Sequence, residues 1–147
     1  MPTESEQRQA VVDEARTWLR TPHHNGARIK GVGVDCGQLP IAVFSSLGLI
    51  PDIKPERYPS DFHLHKDREW YLEIAVMYGH EFEGPPQKGD FVLYKIGRIY
   101  SHGAIVVEWP RIIHAVVNLG VTEDDGEQGM FASKHVKGRK FFTAWGN

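Results

Sequence analysis

Cys36 is the sole cysteine of the chain, set in the run Gly33-Val34-Asp35-Cys36-Gly37-Gln38 where a glycine-rich stretch meets an apolar one. A lone thiol excludes an intrachain disulfide and a multi-cysteine zinc site, so its use lies in packing or in thiol chemistry. Two histidines give the second option substance. His102 and His114 stand twelve residues apart in sequence rich in β-formers, around a turn near Glu108 to Pro110. An odd hairpin loop would put both imidazoles on one sheet face; an even loop would part them. A nucleophile at a helix tip, a base on a strand and a group that orients the base are the three parts of nucleophilic catalysis. On that reading Cys36 attacks, His102 takes its proton and His114 holds the ring of His102. A helix N-terminus also favours the thiolate, which leans toward reactivity. The plainer reading makes Cys36 a small core residue and His102 a satisfied polar group, and spacing alone leaves both open.

The elements that must position these residues are legible in the hydrophobic pattern. Val11, Val12, Ala15, Trp18 and Leu19 form one helical stripe, predicting a helix over Glu4 to Arg20 that Thr21 and Pro22 end. The stretch HHNGARIKGVGV reads as a loop that delivers the chain to Asp35 and Cys36. From Cys36 to Leu47 the sequence is apolar on most sides, as for a central buried helix, with Asp35 to cap it and Gly48 to close it. Pro40 costs little inside the first turns. Trp70, Tyr71, Ile74, Met77 and Tyr78 predict a third helix over about Lys66 to Tyr78. Beyond Gly79 the runs FVLYKI, HGAIVVE and RIIHAVV read as antiparallel strands, VTEDDGEQGM as an exposed acidic loop and KFFTAW as a last strand. Three helices followed by strands imply an α+β fold with helices covering one side of an antiparallel β-sheet.

The 147 residues suit one domain spanning 1–147, and 41% apolar with 24% charged residues is ordinary globular composition. A formal charge of -2 gives no pull toward phosphate backbones or anionic membranes, so no nucleic-acid partner is expected. No apolar run reaches a membrane span, and the first twenty residues are too polar for a secretory signal. The expectation is a product made in the cytoplasm without a signal peptide, and without membrane insertion.

The run TPHHNGARIKGVGVDCGQLPIAVFSSLGL resembles the nucleophile region of the NlpC-type cell-wall peptidases, papain-like cysteine hydrolases, and especially their phage-tail and gene-transfer-agent branch. That family reads Thr-Pro-Tyr, a loop, then Gly-x-Asp-Cys and a hydrophobic helix. KGDFVLYK is similar to its Pro-Gly-Asp strand start, YSHGAIVV to its Ser-His-x-Gly/Ala-Ile strand and IIHAV to the strand that carries its third residue. The resemblance runs from about Thr21 to Val116, in the family's order. It implies a papain-like fold with the nucleophile at a helix N-terminus, Cys36 as nucleophile, His102 as general base and His114 as the ring-orienting residue. It implies hydrolysis of amide bonds in peptidoglycan stem peptides, commonly the link between D-glutamate and diaminopimelate, without a cofactor. It further implies assembly with other phage-tail proteins into a tail-like particle.

Two positions depart from the family pattern. Asp35-Cys36-Gly37-Gln38 stands where relatives often have Asp-Cys-Ser-Gly, a change that backbone N–H donors of an oxyanion hole can survive. His23 stands where relatives carry tyrosine after Thr-Pro, and it is a candidate to donate a hydrogen bond in its place. Arg28 and Lys30 are candidates to meet stem-peptide carboxylates, against a plain role as solvated loop charges. Asp35 is read as a helix cap before any part in the oxyanion or substrate site.

Two other classes of function fit parts of the sequence. His23-His24 and His63-x-His65 look like metal-ligand pairs, but no H-E-x-x-H motif accompanies them and the single cysteine cannot close a zinc shell. A lapsed structural or assembly component of a phage tail would keep the fold and lose the chemistry. Thiol alkylation discriminates: a poised Cys36 reacts below about pH 8, a packing cysteine only on unfolding.

Overall fold

The computed structural model describes residues 1–53 and 70–146. Helix α1 (Glu4–Thr17) opens on a capping box in which Glu6 N–H donates to the Thr3 hydroxyl at 3.1 Å and Thr3 N–H donates to Glu6 Oε1 at 2.9 Å. Two N–H groups that the first turn leaves without partners are thereby satisfied. The helix ends before the expected Arg20, because Trp18 N–H turns back to the Ala15 carbonyl and Arg20 adopts a positive φ of 72°. Its buried side, Val11, Val12 and Ala15, is the stripe read from sequence.

The stretch expected as loop holds a small ribbon, β1 (Arg28–Ile29) against β2 (Gly33–Val34). Helix α2 (Gln38–Ser46) follows, with Gln38 to Phe44 all buried. It starts after Cys36 rather than at it, so the cysteine sits in the turn that enters the helix. Pro40 falls in the first turn, where its missing N–H has no intrahelical partner to lose. Helix α3 (Trp70–Tyr78) is the part of the expected third helix within the described residues; 66–69, like His63 and His65, lie outside them.

Six strands build one sheet: β3 (His80–Phe82), β4 (Phe91–Ile96), β5 (Ile99–Glu108), β6 (Arg111–Val116), β7 (Gly120–Asp125) and β8 (Val136–Thr143). Their order is β3-β8-β4-β5-β6-β7 and every neighbouring pair is antiparallel. Alternation sorts the side chains by face. Phe91, Leu93, Ile105, Val107, Ile113 and Phe142 join the helices' Val11, Val12, Leu39, Val43 and Tyr71 in one core. Val92, Tyr94, Ala104, Val106 and Ile112 point the other way and are covered by Phe131. Helices therefore cover one side of the sheet, as expected.

Three strand assignments differ from the sequence reading. β3 is short and polar, and only its pairing with β8 marks it as a strand. β8 begins before the expected Lys140 because Gly138 and Arg139 pair with Lys95 and Tyr94 across the sheet. The acidic run is not a loop: its first part is edge strand β7, paired with β6 through Val121, Thr122, Glu123 and Asp124, and a short 3-10 helix, Gly129–Ala132, follows. An edge strand needs only one apolar face, which Val121 supplies in this run.

The sheet and α1 are tied by a buried ion pair. The Arg8 guanidinium donates to Asp90 Oδ1 at 2.8 Å and to the Lys88 carbonyl at 2.8 Å, and lies 4.3 Å from the centre of the Trp145 ring. Asp90 Oδ2 in turn accepts the Gln87 N–H at 2.8 Å, fixing the turn from which β4 sets out.

Candidate active site

Three pieces of chain meet at Cys36. The first is the segment after α1: His23 bridges to Val34, the Val34 N–H donates to the Pro22 carbonyl at 3.0 Å, and the His24 N–H donates to the Val34 carbonyl at 3.1 Å. The second is Asp35 itself, buried at 2% exposure. Its Oδ1 accepts the Gly37 and Gln38 N–H groups at 3.0 and 2.9 Å, and its Oδ2 accepts the Gly26 N–H at 2.6 Å. Asp35 thus caps the helix, as read from sequence, and pins the preceding loop. The third piece is α3, whose Tyr71 hydroxyl donates to the Cys36 carbonyl at 2.5 Å.

The sulfur reaches strand β5 at the residues flanking His102. Cys36 Sγ–H is directed at the Ser101 carbonyl, 3.6 Å away, and the N–H groups of Cys36, Gly37 and Gly103 point toward the sulfur and favour its thiolate. Those donors are outweighed. Burial, then the Asp35 carboxylate, push the thiol up to about 12. Helix position alone suggested the opposite. The reason is local: the helix begins beyond Cys36, and its first N–H groups are already taken by a carboxylate whose negative charge faces the sulfur.

His102 and His114 lie on one face of the sheet, diagonal across β5 and β6. The Trp109-Pro110 turn has two residues, an even number that would separate the rings. A register shift between Val106 and Glu108 inserts one more residue in β5 and restores the parity. His102 Nε2 and His114 Nδ1 are 2.8 Å apart. The second ring is fully buried, and its Nε2 lies 3.2 Å from Asp124 Oδ2 on β7. Phe131 covers the pair, with ring centres 5.9 Å from His102 and 5.2 Å from His114, and stacks on Tyr94 at 4.2 Å. This dry aromatic wall disfavours charge on either ring. Burial and then the neighbouring His114 push His102 down to about 3; burial lowers His114 too, against the opposing pull of Asp124.

Of the remaining sequence candidates, His23 comes to the site. It is close enough for a charge on it to disfavour one on His102, and burial lowers its own affinity for a proton. Arg28 and Lys30 are engaged elsewhere. The Arg28 guanidinium donates to Gln38 Oε1 at 2.7 Å, to Asp52 Oδ1 and to the Ile53 carbonyl, and Lys30 Nζ donates to Glu14 Oε2 at 2.9 Å. Both act as ties between loop and helices. Among the described residues no group of three or more His, Cys, Asp and Glu is placed to hold a metal ion, and no helix is long and apolar enough to cross a membrane.

Asp124 and Tyr71 were not singled out by sequence. Asp124 was hidden in an acidic run; the signal that marks it is Asn118-Leu119-Gly120, a turn whose Asn118 and Gly120 both have positive φ and which pairs Val116 with Gly120. His114 then faces Thr122, and Asp124 follows on the same face. Tyr71 lay on a helical stripe, where nothing separates a core tyrosine from one that grips a backbone.

No protein-family model and no curated protein matches the sequence. The likeness lies in three dimensions. The chain superimposes on the NlpC/p60 domain of the peptidoglycan hydrolase SagA with a TM-score of 0.56 and 19% identity, over 82% of this chain and 90% of that one. The fold is that of an NlpC/P60 domain. Similar too are an NlpC protein of Trichomonas vaginalis (TM-score 0.66, 17% identity, all of this chain and 47% of that one) and an NLP/P60-family protein, similar to lipoprotein, from Staphylococcus aureus subsp. aureus Mu50 (TM-score 0.61, 21% identity, 95% and 42%). This chain spans less than half the length of those two proteins.

Proposed function

We propose that the protein is a cysteine peptidase or amidase of the NlpC type that hydrolyses amide bonds in bacterial peptidoglycan stem peptides. The observation that carries this reading is the buried His102–His114 contact of 2.8 Å, with the Ser101 carbonyl next to His102 lying 3.6 Å from the Cys36 sulfur, within an NlpC/P60 fold. Cys36 is the nucleophile, His102 the general base and acid, and His114 the group that holds the His102 ring.

Thiol and imidazole are both neutral at rest, so the reaction begins without an ion pair. The thiol proton turns from the Ser101 carbonyl to His102 Nδ1, the nitrogen not engaged with His114, as sulfur bonds to the scissile carbonyl carbon. The Cys36 N–H, with His23 beside it, stabilises the oxyanion. Imidazolium His102 then protonates the leaving amine as the C–N bond breaks, and water, deprotonated by His102, releases the acyl group and restores the thiol. The resemblance of the Thr21 to Leu49 run to the phage-tail branch supports a place in a tail that breaches the cell envelope, after synthesis in the cytoplasm, with other tail proteins as partners.

The test is digestion of purified muropeptides read by mass spectrometry, with Cys36→Ala and His102→Ala as controls. Cleavage by the wild type that both substitutions abolish is expected; cleavage unchanged in Cys36→Ala overturns the mechanism. A second reading, a structural tail component with a lapsed site, is favoured by the elevated thiol and by His23 in the place of tyrosine. Its signature is no cleavage by any form.

A further inference from the structure

Asp124 closes the row of side chains that runs from His102 through His114, and its chemistry fixes what both rings in the row can do. A carboxylate only accepts hydrogen bonds, so the nitrogen of His114 that faces Asp124 Oδ2 at 3.2 Å, Nε2, must carry the proton. A neutral His114 then has a bare Nδ1. That atom lies 2.8 Å from His102 Nε2, which must therefore be the protonated nitrogen of His102. His102 Nδ1 is left bare, able to take a proton from Cys36. Without the carboxylate, the reverse arrangement, with both protons on Nδ1, satisfies the same contact between the rings and blocks the base.

We infer that Asp124 is a positioning residue that sets the tautomer of both imidazoles and so keeps His102 Nδ1 free for the Cys36 thiol. The inference deepens the proposed function and rests on His102 being the base. Asp124 touches neither the sulfur nor the substrate; it acts through His114.

The surroundings of Asp124 make the choice of substitution decisive. Its other oxygen, Oδ1, accepts the backbone N–H of Asp125 at 2.8 Å. In Asp124→Asn the single carbonyl oxygen is held by that N–H, and the amide NH2 turns to His114. A donor there obliges His114 Nε2 to accept, which moves its proton to Nδ1 and the proton of His102 to Nδ1 as well. Asparagine, the closest mimic in shape, is then the most damaging replacement, and alanine, which imposes neither tautomer, the milder one. A merely structural contact gives the opposite ranking. Asp124 is on the rim, with its side chain 48% exposed, so all these variants should fold.

The experiment reads tautomers directly by long-range proton–nitrogen correlation spectra of the two histidine rings in the full chain, together with muropeptide hydrolysis. Expected are Nε2–H forms for both rings in the wild type and in Asp124→Glu, a mixture in Asp124→Ala, and Nδ1–H forms in Asp124→Asn. With hydrolysis, kcat should fall roughly a hundredfold or more in Asp124→Asn, roughly tenfold in Asp124→Ala and less than about threefold in Asp124→Glu, with KM held. Nδ1–H on either ring of the wild type, or unchanged tautomers in Asp124→Asn, overturns the inference. If no form hydrolyses muropeptides, the proposed function fails while the spectra still decide the tautomer assignment.

Discussion

A single methyl group at residue 103 should unseat the carbonyl of Cys36. A Cβ at Gly103 would lie 2.2 Å from the Tyr71 hydroxyl and 2.4 Å from Phe91 Cζ, far inside contact distance, with Tyr71 at 4% exposure and no room to step aside freely. The hydroxyl it displaces is the one that donates to the Cys36 carbonyl at 2.5 Å. Overpacking of a close-packed core costs about 1–3 kcal/mol, and a hydrogen bond lost from a dry carbonyl about 1–2 kcal/mol more, so Gly103→Ala should destabilise by about 2–5 kcal/mol. Tyr71→Phe alone removes only the hydrogen bond and should cost about 1–2 kcal/mol. The two perturbations destroy the same bond, so they should not add. Urea denaturation of wild type, both single variants and the double variant should give a coupling of about 1–2 kcal/mol, with Tyr71→Phe close to harmless once Gly103→Ala is present. Additivity within about 0.5 kcal/mol would show that Tyr71 does not hold the nucleophile's backbone, and the account of how Cys36 is seated would fail.

Other outcomes follow from the same structure. The buried histidines should make the protein acid-labile: their native proton affinities are lowered, so as pH falls below about 6.5 the unfolded chain binds protons that the native state refuses. Stability should drop by roughly 1 kcal/mol per pH unit from His102 between about pH 6.5 and 5, above the carboxylate range, with His114 adding in the same direction, and equal urea midpoints across that window would contradict it. The rate of Cys36 alkylation by iodoacetamide should climb about tenfold per pH unit from about pH 7 to 10, following a thiol pushed up to about 12; a plateau below about pH 8 would mean the thiolate is already formed. Arg8→Ala should cost about 3–5 kcal/mol by thermal or urea unfolding, because it strands the buried Asp90 carboxylate; Asp90→Asn in the same chain should recover part of that loss, and no loss in the single variant would remove the pair from the account of how β4 is anchored.

What the sequence by itself determined is what depends on neighbours along the chain. Period and capping chemistry place α1, α2 and the strands β4, β5 and β6, and the α+β layering follows from their order. Asp35 as the helix cap is equally local, since the N–H groups it caps belong to Gly37 and Gln38, two and three residues on. The nomination of Cys36, His102 and His114 needed only residue types and motif order. Everything about their state was decided in three dimensions. Whether the two rings share a face depends on one extra residue in β5, which the even Trp109-Pro110 turn conceals. Whether Cys36 is a thiolate depends on where α2 begins and on the carboxylate beside it, and burial reverses the inference from the helix dipole. Arg28 and Lys30 look free in sequence and are paired in the fold. Asp124 and Tyr71 became visible only when β7 and α3 were laid beside residues distant in the chain. Charge, tautomer and contact are properties of atoms brought together by long-range packing, and a linear pattern records only which atoms are available.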